Sequence, residues 1–251
     1  MLLVSTPLTL IAGLFLAMLG FVEIGRRIGV RRKFEGLGAV EGAVFGLMGL
    51  LIAFTFGSAA VRFETRRNLV VEEVNDVGTA YLRLDLLPPA AQPKLRDAFR
   101  RYVDSRLAFY RSLPDLDVAE ADLARMTKLQ NEIWQASVTA CDEVASSAPS
   151  ILLLPALNTM IDIATTRTAA FQAHQPTIVF GMLALTMLAC SLLAGFDMGA
   201  GSGRSWLHIV CFAAVLTIAF YVIVDLEYPR VGFIRIDWMD QLLRDLPSRM
   251  N

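Results

Sequence analysis

Long apolar runs alternate along this chain with a charged stretch of helical period. Four runs are long enough to cross a bilayer as helices: Met1 to Val22, Leu37 to Val61, Pro176 to Phe196 and Trp206 to Val224. A hydrocarbon core needs roughly 20 such residues, because only a helix satisfies its own backbone polar groups within one lipid-exposed segment. The first run lacks a basic start and shows no clear small-residue cleavage site before Glu23, so it reads as a retained anchor and not as a secretion signal.

Between the second and third runs the period changes. Val70, Val74, Val77, Tyr81 and Leu84 recur at steps of three and four, then stop at Pro88-Pro89. Leu95, Phe99, Tyr102, Leu107 and Tyr110 form a comparable stripe that ends near Pro114, with Asp97/Arg101 and Arg100/Asp104 pairs to support it. A third helix is expected from about Val118 to Val144, and a fourth repeats Leu157, Ile161, Ala164, Thr168 and Phe171 before Pro176. No helix breaker separates the second apolar run from the first stripe, so one helix should continue through both. The fold class expected is an all-α membrane protein: four transmembrane helices with a helical extramembrane domain between the second and third. Its divisions are residues 1–61 (two spans and a short basic loop), 62–175 (the domain), 176–225 (two more spans) and 226–251, a tail with Tyr228, Pro229 and Trp238 suited to a membrane interface and an amphipathic piece at Leu242, Leu243 and Leu246.

Composition changes the picture little. The chain is 55% hydrophobic and 19% charged, so it holds both a lipid-facing and a solvated regime. A net charge of −1 gives no overall basic field for nucleic acid. Locally, Arg26, Arg27, Arg31, Arg32 and Lys33 crowd between the first two runs, which by the positive-inside rule places that loop, and Arg204 in the next, in the cytoplasm. The domain then lies outside, against the pull of Arg62, Arg66, Arg67, Arg230 and Arg235 just beyond span ends on the domain side.

Candidate chemistry is sparse. Cys141, Cys190 and Cys211 are odd in number and widely spaced, and read as small buried side chains with no disulfide. His174 and His208 lack ligand spacing, and no phosphate loop, nucleophile elbow or CxxC occurs, so no metal, cofactor or enzyme chemistry is expected. Gly199 to Gly203 reads as a loop between spans.

The second run is more informative. At 100° per residue Glu41, Phe45, Met48, Ile52, Thr55 and Ala59 share one line, which continues into Arg62, Arg66, Glu73 and Asp76. Gly42, Gly46, Gly49, Ala53 and Gly57 lie opposite, a small-residue face for helix packing. An ionisable residue in a span usually faces a bundle interior or a cavity. Glu41 therefore has two readings: part of an ion path with Phe45, Met48, Ile52 and Thr55 as lining, or a carboxylate that reaches the interface beside Arg31 or Lys33. Arg62, Arg66, Glu73 and Asp76 likewise form either a vestibule at a pore mouth or a solvated, self-neutralising face.

At these residues the sequence resembles a known family. EGAVFGLMGLLIAFTFGSAAVRFETRRNLVVEEVNDVGTAYLRLDLLPP, LNTMIDIATTRTAAF and DLEYPRVGFIRID are similar to bacterial bestrophin-like proteins, over nearly the whole chain. Bestrophins proper are pentameric anion channels whose second helix lines the pore, and their large domain is cytoplasmic. The resemblance thus implies a homo-oligomer in a bacterial inner membrane that passes inorganic ions. The chain is much shorter than bestrophins proper, and neither their aromatic-proline neck sequence nor their acidic calcium clasp is identified in it. The alternative is a non-conducting scaffold or sensor that binds a partner through the helical domain.

Overall fold

A computed structural model describes residues 2–31, 38–112, 116–200, 206–230 and 232–249. The described residues form helices and turns without a strand. In chain order the helices are α1 (Leu2–Arg31), α2 (Gly38–Leu82), α3 (Gln92–Ser112), α4 (Leu116–Asp142), α5 (Ala148–Gln172), α6 (Thr177–Ala200), α7 (Trp206–Glu227) and the short α8 (Asp240–Asp245). Among the described residues, four helical stretches are long and apolar enough to cross a membrane: Thr9–Arg31, Gly38–Leu86, Ala148–Gly199 and Trp206–Glu227. The chain divides into two compact units, one of residues 1–63 and 174–234, the other of residues 64–173 and 235–251.

The first unit holds α1, the first half of α2, α6 and α7. Its core joins Met18 of α1, Met48 and Ala59 of α2, Leu183, Met187 and Cys190 of α6, and Ala213, Leu216 and Ile223 of α7. Backbone proximity is greatest between α1 and α6, and its cause is a pair of glycines on each. A Cβ on Gly25 or Gly29 would strike the α6 backbone at Leu192 and Phe196, and one on Gly195 or Gly199 would strike α1 at Val22 and Arg26. Each pair is spaced by four, so it recurs on one helix face and lets the two axes close up.

Several expectations change here. Arg26, Arg27 and Arg31 stand on the last turns of α1 and not in a loop, with Arg26 and Arg27 both paired to Glu23 at 2.8 and 2.9 Å. Glu23 lies three and four residues before them, so the pairing needs no other element. Gly199 is helical. Gly201 to Gly203 and the basic residues Arg32, Lys33 and Arg204 lie outside the described residues. Cys141 and Cys190 are buried free thiols, whereas Cys211 is exposed.

The second unit packs the rest of α2 with α3, α4, α5 and the C-terminal segment. Both sequence stripes become its core: Val70, Val77, Tyr81 and Leu84 are buried, as are Leu95, Phe99, Tyr102, Leu107 and Tyr110. The helix runs unbroken through the end of the apolar run, as the absence of a breaker dictates, and closes with a 3₁₀ turn over Arg83–Leu86 before Pro88. The tail is part of this unit: Leu243 and Leu246 are buried in its core, while Trp238 and Leu242 are exposed.

Candidate functional site

Within the first unit, α2 shows two unlike faces. Met48, Thr55 and Ala59 are buried, Phe45 sets its ring edge-on to Phe212 of α7 at 6.0 Å, and the carbonyl of Val44 accepts from the Cys190 thiol of α6 at 3.9 Å. Thr55 spends its hydroxyl on the carbonyls of Leu51 and Ile52, so it brings no free polar group to that face. Opposite it, Leu47, Leu50, Phe54 and Val61 are each more than half exposed. A Cβ built on Gly42, Gly46, Gly49 or Gly57 meets nothing within 4 Å. The line expected to line a pore therefore turns to the protomer's own core at Met48 and Thr55, and among the described residues no helix packs on the four glycines.

Glu41 opens onto a cavity of about 280 Å³ lined also by Val22, Phe45, Asp197, His208 and Phe212. It is a half-buried carboxylate in the first turn of α2, where the helix dipole favours negative charge. Among the described residues no group of three or more His, Cys, Asp or Glu is placed to hold a metal ion.

A second polar cluster gathers around Glu227 at the end of α7, from Arg62 of α2 and from His174 and Gln175 in the link before α6. Its carboxylate is fully buried and accepts from Arg62 Nε at 2.9 Å and from the backbone N–H of Gln175 at 2.7 Å. Arg62 also donates to the Gln175 side-chain oxygen at 2.6 Å. His174 Nδ1 lies 3.7 Å from the same carboxylate, and its ring stacks on Tyr228 at 4.7 Å. Close by in sequence, Asp225 is buried and accepts the backbone N–H groups of Phe233 and Ile234 at 3.1 and 2.8 Å. A Cβ at Gly232 would overlap that carboxylate, so any larger residue there would have to displace Asp225.

In the second unit, Glu73 is not on a solvated face. It is fully buried and ion-paired with Arg106 of α3 and Arg167 of α5. Arg167 reaches on to Asp240 of α8 at 3.1 Å, and its guanidinium lies 3.6 Å over the Tyr110 ring. Each buried carboxylate thus meets at least one guanidinium, and pairing of this kind is the condition for burying charges at all. Burial pushes the Tyr102 hydroxyl up to about 12, and raises that of Tyr110 as well. Arg66, also buried, donates to the carbonyls of Ala170 and Ala173 at 3.1 and 2.9 Å, caps the C-terminal end of α5 and places its charge where the dipole favours a cation. Of the four expected vestibule residues, Arg66 and Glu73 are thus interior, Arg62 is engaged by Glu227 and Asp76 is half-buried.

The family model for the bestrophin-like domain matches residues 9–238. The chain belongs to the bestrophin-like family. Solved structures agree with it in fold. Two are single-substitution variants of a bacterial bestrophin homologue from Klebsiella pneumoniae: one has a TM-score of 0.66 and 16% identity, and covers 97% of this chain and 99% of its own. The other has 0.64 and 15%, over 92% and 98%. A third, a variant described as a membrane protein, has 0.64 and 15%, over 92% and 96%. No curated protein sequence matches the chain.

Several members of these bestrophin-like clusters escape sequence reading. Arg106 and Arg167 pair with a carboxylate on another helix, and Asp225 and Glu227 look like ordinary interfacial residues at a span end. Arg106 does leave a trace: it stands four after Tyr102 and four before Tyr110, a charge inside an apolar stripe.

Proposed function

We propose that this bestrophin-like chain assembles with copies of itself into an ion channel of the bacterial inner membrane, with α2 lining the pore and residues 62–175 forming a helical domain outside the bilayer. One observation carries the reading: the span portion of α2 is buried on one side only, and among the described residues a Cβ on any glycine of its other side meets nothing within 4 Å. A helix that gives half its surface to its own protomer and keeps the other half for identical copies is what a ring of subunits requires.

The lining is assigned to the open side. Gly46, Leu50, Phe54, Gly57 and Val61 succeed one another at steps of three and four and form the narrow, apolar stretch. On the same helical line follow Glu64, Asn68, Glu72 and Asn75, all exposed, as the polar mouth on the domain side. From the predicted line, Glu41 is kept as an acidic group at the opposite end of the span; Phe45, Met48, Ile52 and Thr55 hold α2 to its own bundle. The basic residues at the end of α1 favour that end in the cytoplasm and the domain in the periplasm.

Single-particle imaging of detergent-purified protein, with current recording from the same preparation in planar bilayers, tests this. A closed ring with α2 at its axis and ionic currents are expected. A monomer that passes no current defeats the reading and favours a scaffold or sensor that acts through the domain.

A further inference from the structure

The cavity of about 280 Å³ in the first unit has apolar walls and mainly acidic polar groups. Val22, Met198 and Ile209 supply aliphatic wall, and Phe45 and Phe212, set edge-on at 6.0 Å, bring two phenyl rings. Glu41 of α2, Asp197 of α6 and His208 of α7 are its titratable lining, and among the described residues no lysine or arginine lines it. Among those residues neither carboxylate has an ion-pair partner; Arg26, one turn beyond Val22 on α1, is held by Glu23 at 2.8 Å. Helix ends do not account for the acidity. α2 and α7 begin at this end of the unit while α1 and α6 stop there, so their dipoles oppose one another. Glu41 stands in the first turn of α2, where a carboxylate is favoured. Asp197 stands in the last turn of α6, where a carboxylate is disfavoured and no basic residue accompanies it.

We propose that this cavity binds a primary alkylammonium ion, with the ammonium group donating to Glu41 and Asp197 and the alkyl stem against the phenyl and aliphatic walls. Three N–H donors suit carboxylates that arrive from two different helices. Phenyl rings add attraction for a cation, and the stem gains by leaving water. Drug-sized ligands occupy sites of roughly 300 to 1,000 Å³, so an occupant of this cavity is small. A bare metal ion suits the lining less: calcium takes about six to eight oxygen ligands, and among the described residues no group of three His, Cys, Asp or Glu is placed to hold a metal. An anion would meet two carboxylates and no arginine or lysine of the lining. A free amine and the headgroup of an aminophospholipid share the ammonium chemistry, and both can reach the end of a membrane span. The site does not depend on α2 lining a pore.

Isothermal titration calorimetry of the full detergent-solubilised protein with butylammonium chloride, in an amine-free buffer, tests the proposal. Sodium butyrate at the same ionic strength is the control, with a similar stem and the opposite charge. Saturable binding of butylammonium and none of butyrate are expected. Glu41→Gln and Asp197→Asn should each weaken butylammonium binding about tenfold or more, the loss of one charge-assisted hydrogen bond. Asp197 is exposed, so its variant decides the matter if Glu41→Gln does not fold. Asp197→Lys, which puts a cation into the lining, should abolish binding. Butyrate bound as tightly as butylammonium, or an affinity for butylammonium untouched by both Asp197 variants, overturns the site. Native mass spectrometry from nanodiscs that contain phosphatidylethanolamine and phosphatidylglycerol then distinguishes the source. Phosphatidylethanolamine kept by wild type and lost from Asp197→Asn assigns a lipid headgroup; calorimetry as expected with no such lipid kept assigns a free amine. Neither measurement reads current, so a protein that binds butylammonium and passes no ions loses the channel reading and keeps this one.

Discussion

Glu73 of α2 and Arg106 of α3 form an ion pair in which neither side chain has any solvent-exposed surface. The carboxylate is shared with Arg167, and Arg167 carries the link on to Asp240, so one ion-pair network ties α2, α3, α5 and α8 together. The desolvation of these buried charges is offset only while their partners are present.

The first prediction follows from that dependence. Glu73→Leu takes the carboxylate from both Arg106 and Arg167 at once, whereas Arg106→Met leaves Glu73 still paired with Arg167. Both should destabilise the protein, by about 3–5 kcal/mol for a broken buried pair, with Glu73→Leu the worse. Thermal unfolding in detergent checks the order; equal midpoints for the two variants would show that the charges are not coupled.

The same network sets an alkaline limit. In the unfolded chain a tyrosine ionises near 10, while burial holds the Tyr102 hydroxyl protonated up to about 12. For an acid whose folded value is raised, stability is complete below the unfolded value and declines as pH climbs from there towards the folded one. The protein should thus lose stability between about pH 10 and 12. Tyrosinate absorbance should show at least Tyr102 and Tyr110, of the five tyrosines, titrating only with unfolding. Tyr102→Phe should make the decline shallower. An unchanged slope in that variant would remove Tyr102 as its cause.

How much of this was legible in the sequence depends on whether a residue's partner lies on its own helix. The apolar stripes, the continuity of α2 through Val61, and pairs such as Asp97 with Arg101 at 3.0 Å follow from spacing alone. Which face of α2 turns inward does not. Glu41 and Thr55 mark one side as polar and the glycines mark the other as close-packing, but Thr55 bonds to its own helix and the glycines open outward. The close approach was written elsewhere, in Gly25 and Gly29 against Gly195 and Gly199, and the first pair was hidden inside a basic run that reads as a loop. Glu73 misled for a related reason: three charges within five residues look solvated until the arginines of two distant helices are brought to one of them.

The two kinds of glycine should respond oppositely to alanine. At Gly195 a methyl would land on the Val22 backbone, which cannot yield as a flexible side chain does. Gly195→Ala should cost about 1–3 kcal/mol or more as overpacking and lower the thermal midpoint. Gly42→Ala meets open space and gains helix propensity, so its midpoint should hold or rise slightly. Matching losses at both sites would mean that the α2 face is as crowded as the α1–α6 crossing.

The last prediction separates the two faces of α2 by what each loses. Leu50→Ala and Phe54→Ala remove bulk from the exposed side and leave the protomer core untouched, so protein yield and unfolding midpoint should stay near wild type while unit conductance or open probability rises. Met48→Ala, two residues before Leu50, empties space in the core that holds Met18, Leu183 and Met187 and should instead cost about 2–5 kcal/mol as a core truncation. Its currents, scaled to folded protein, should match wild type. Both readouts are needed because a destabilised channel also passes less current: only conductance normalised to assembled protein distinguishes a wider pore from a lost subunit. If Met48→Ala widens the pore and Phe54→Ala lowers the midpoint, the lining belongs to the line through Glu41 and Thr55, and the open face is where neighbouring subunits pack.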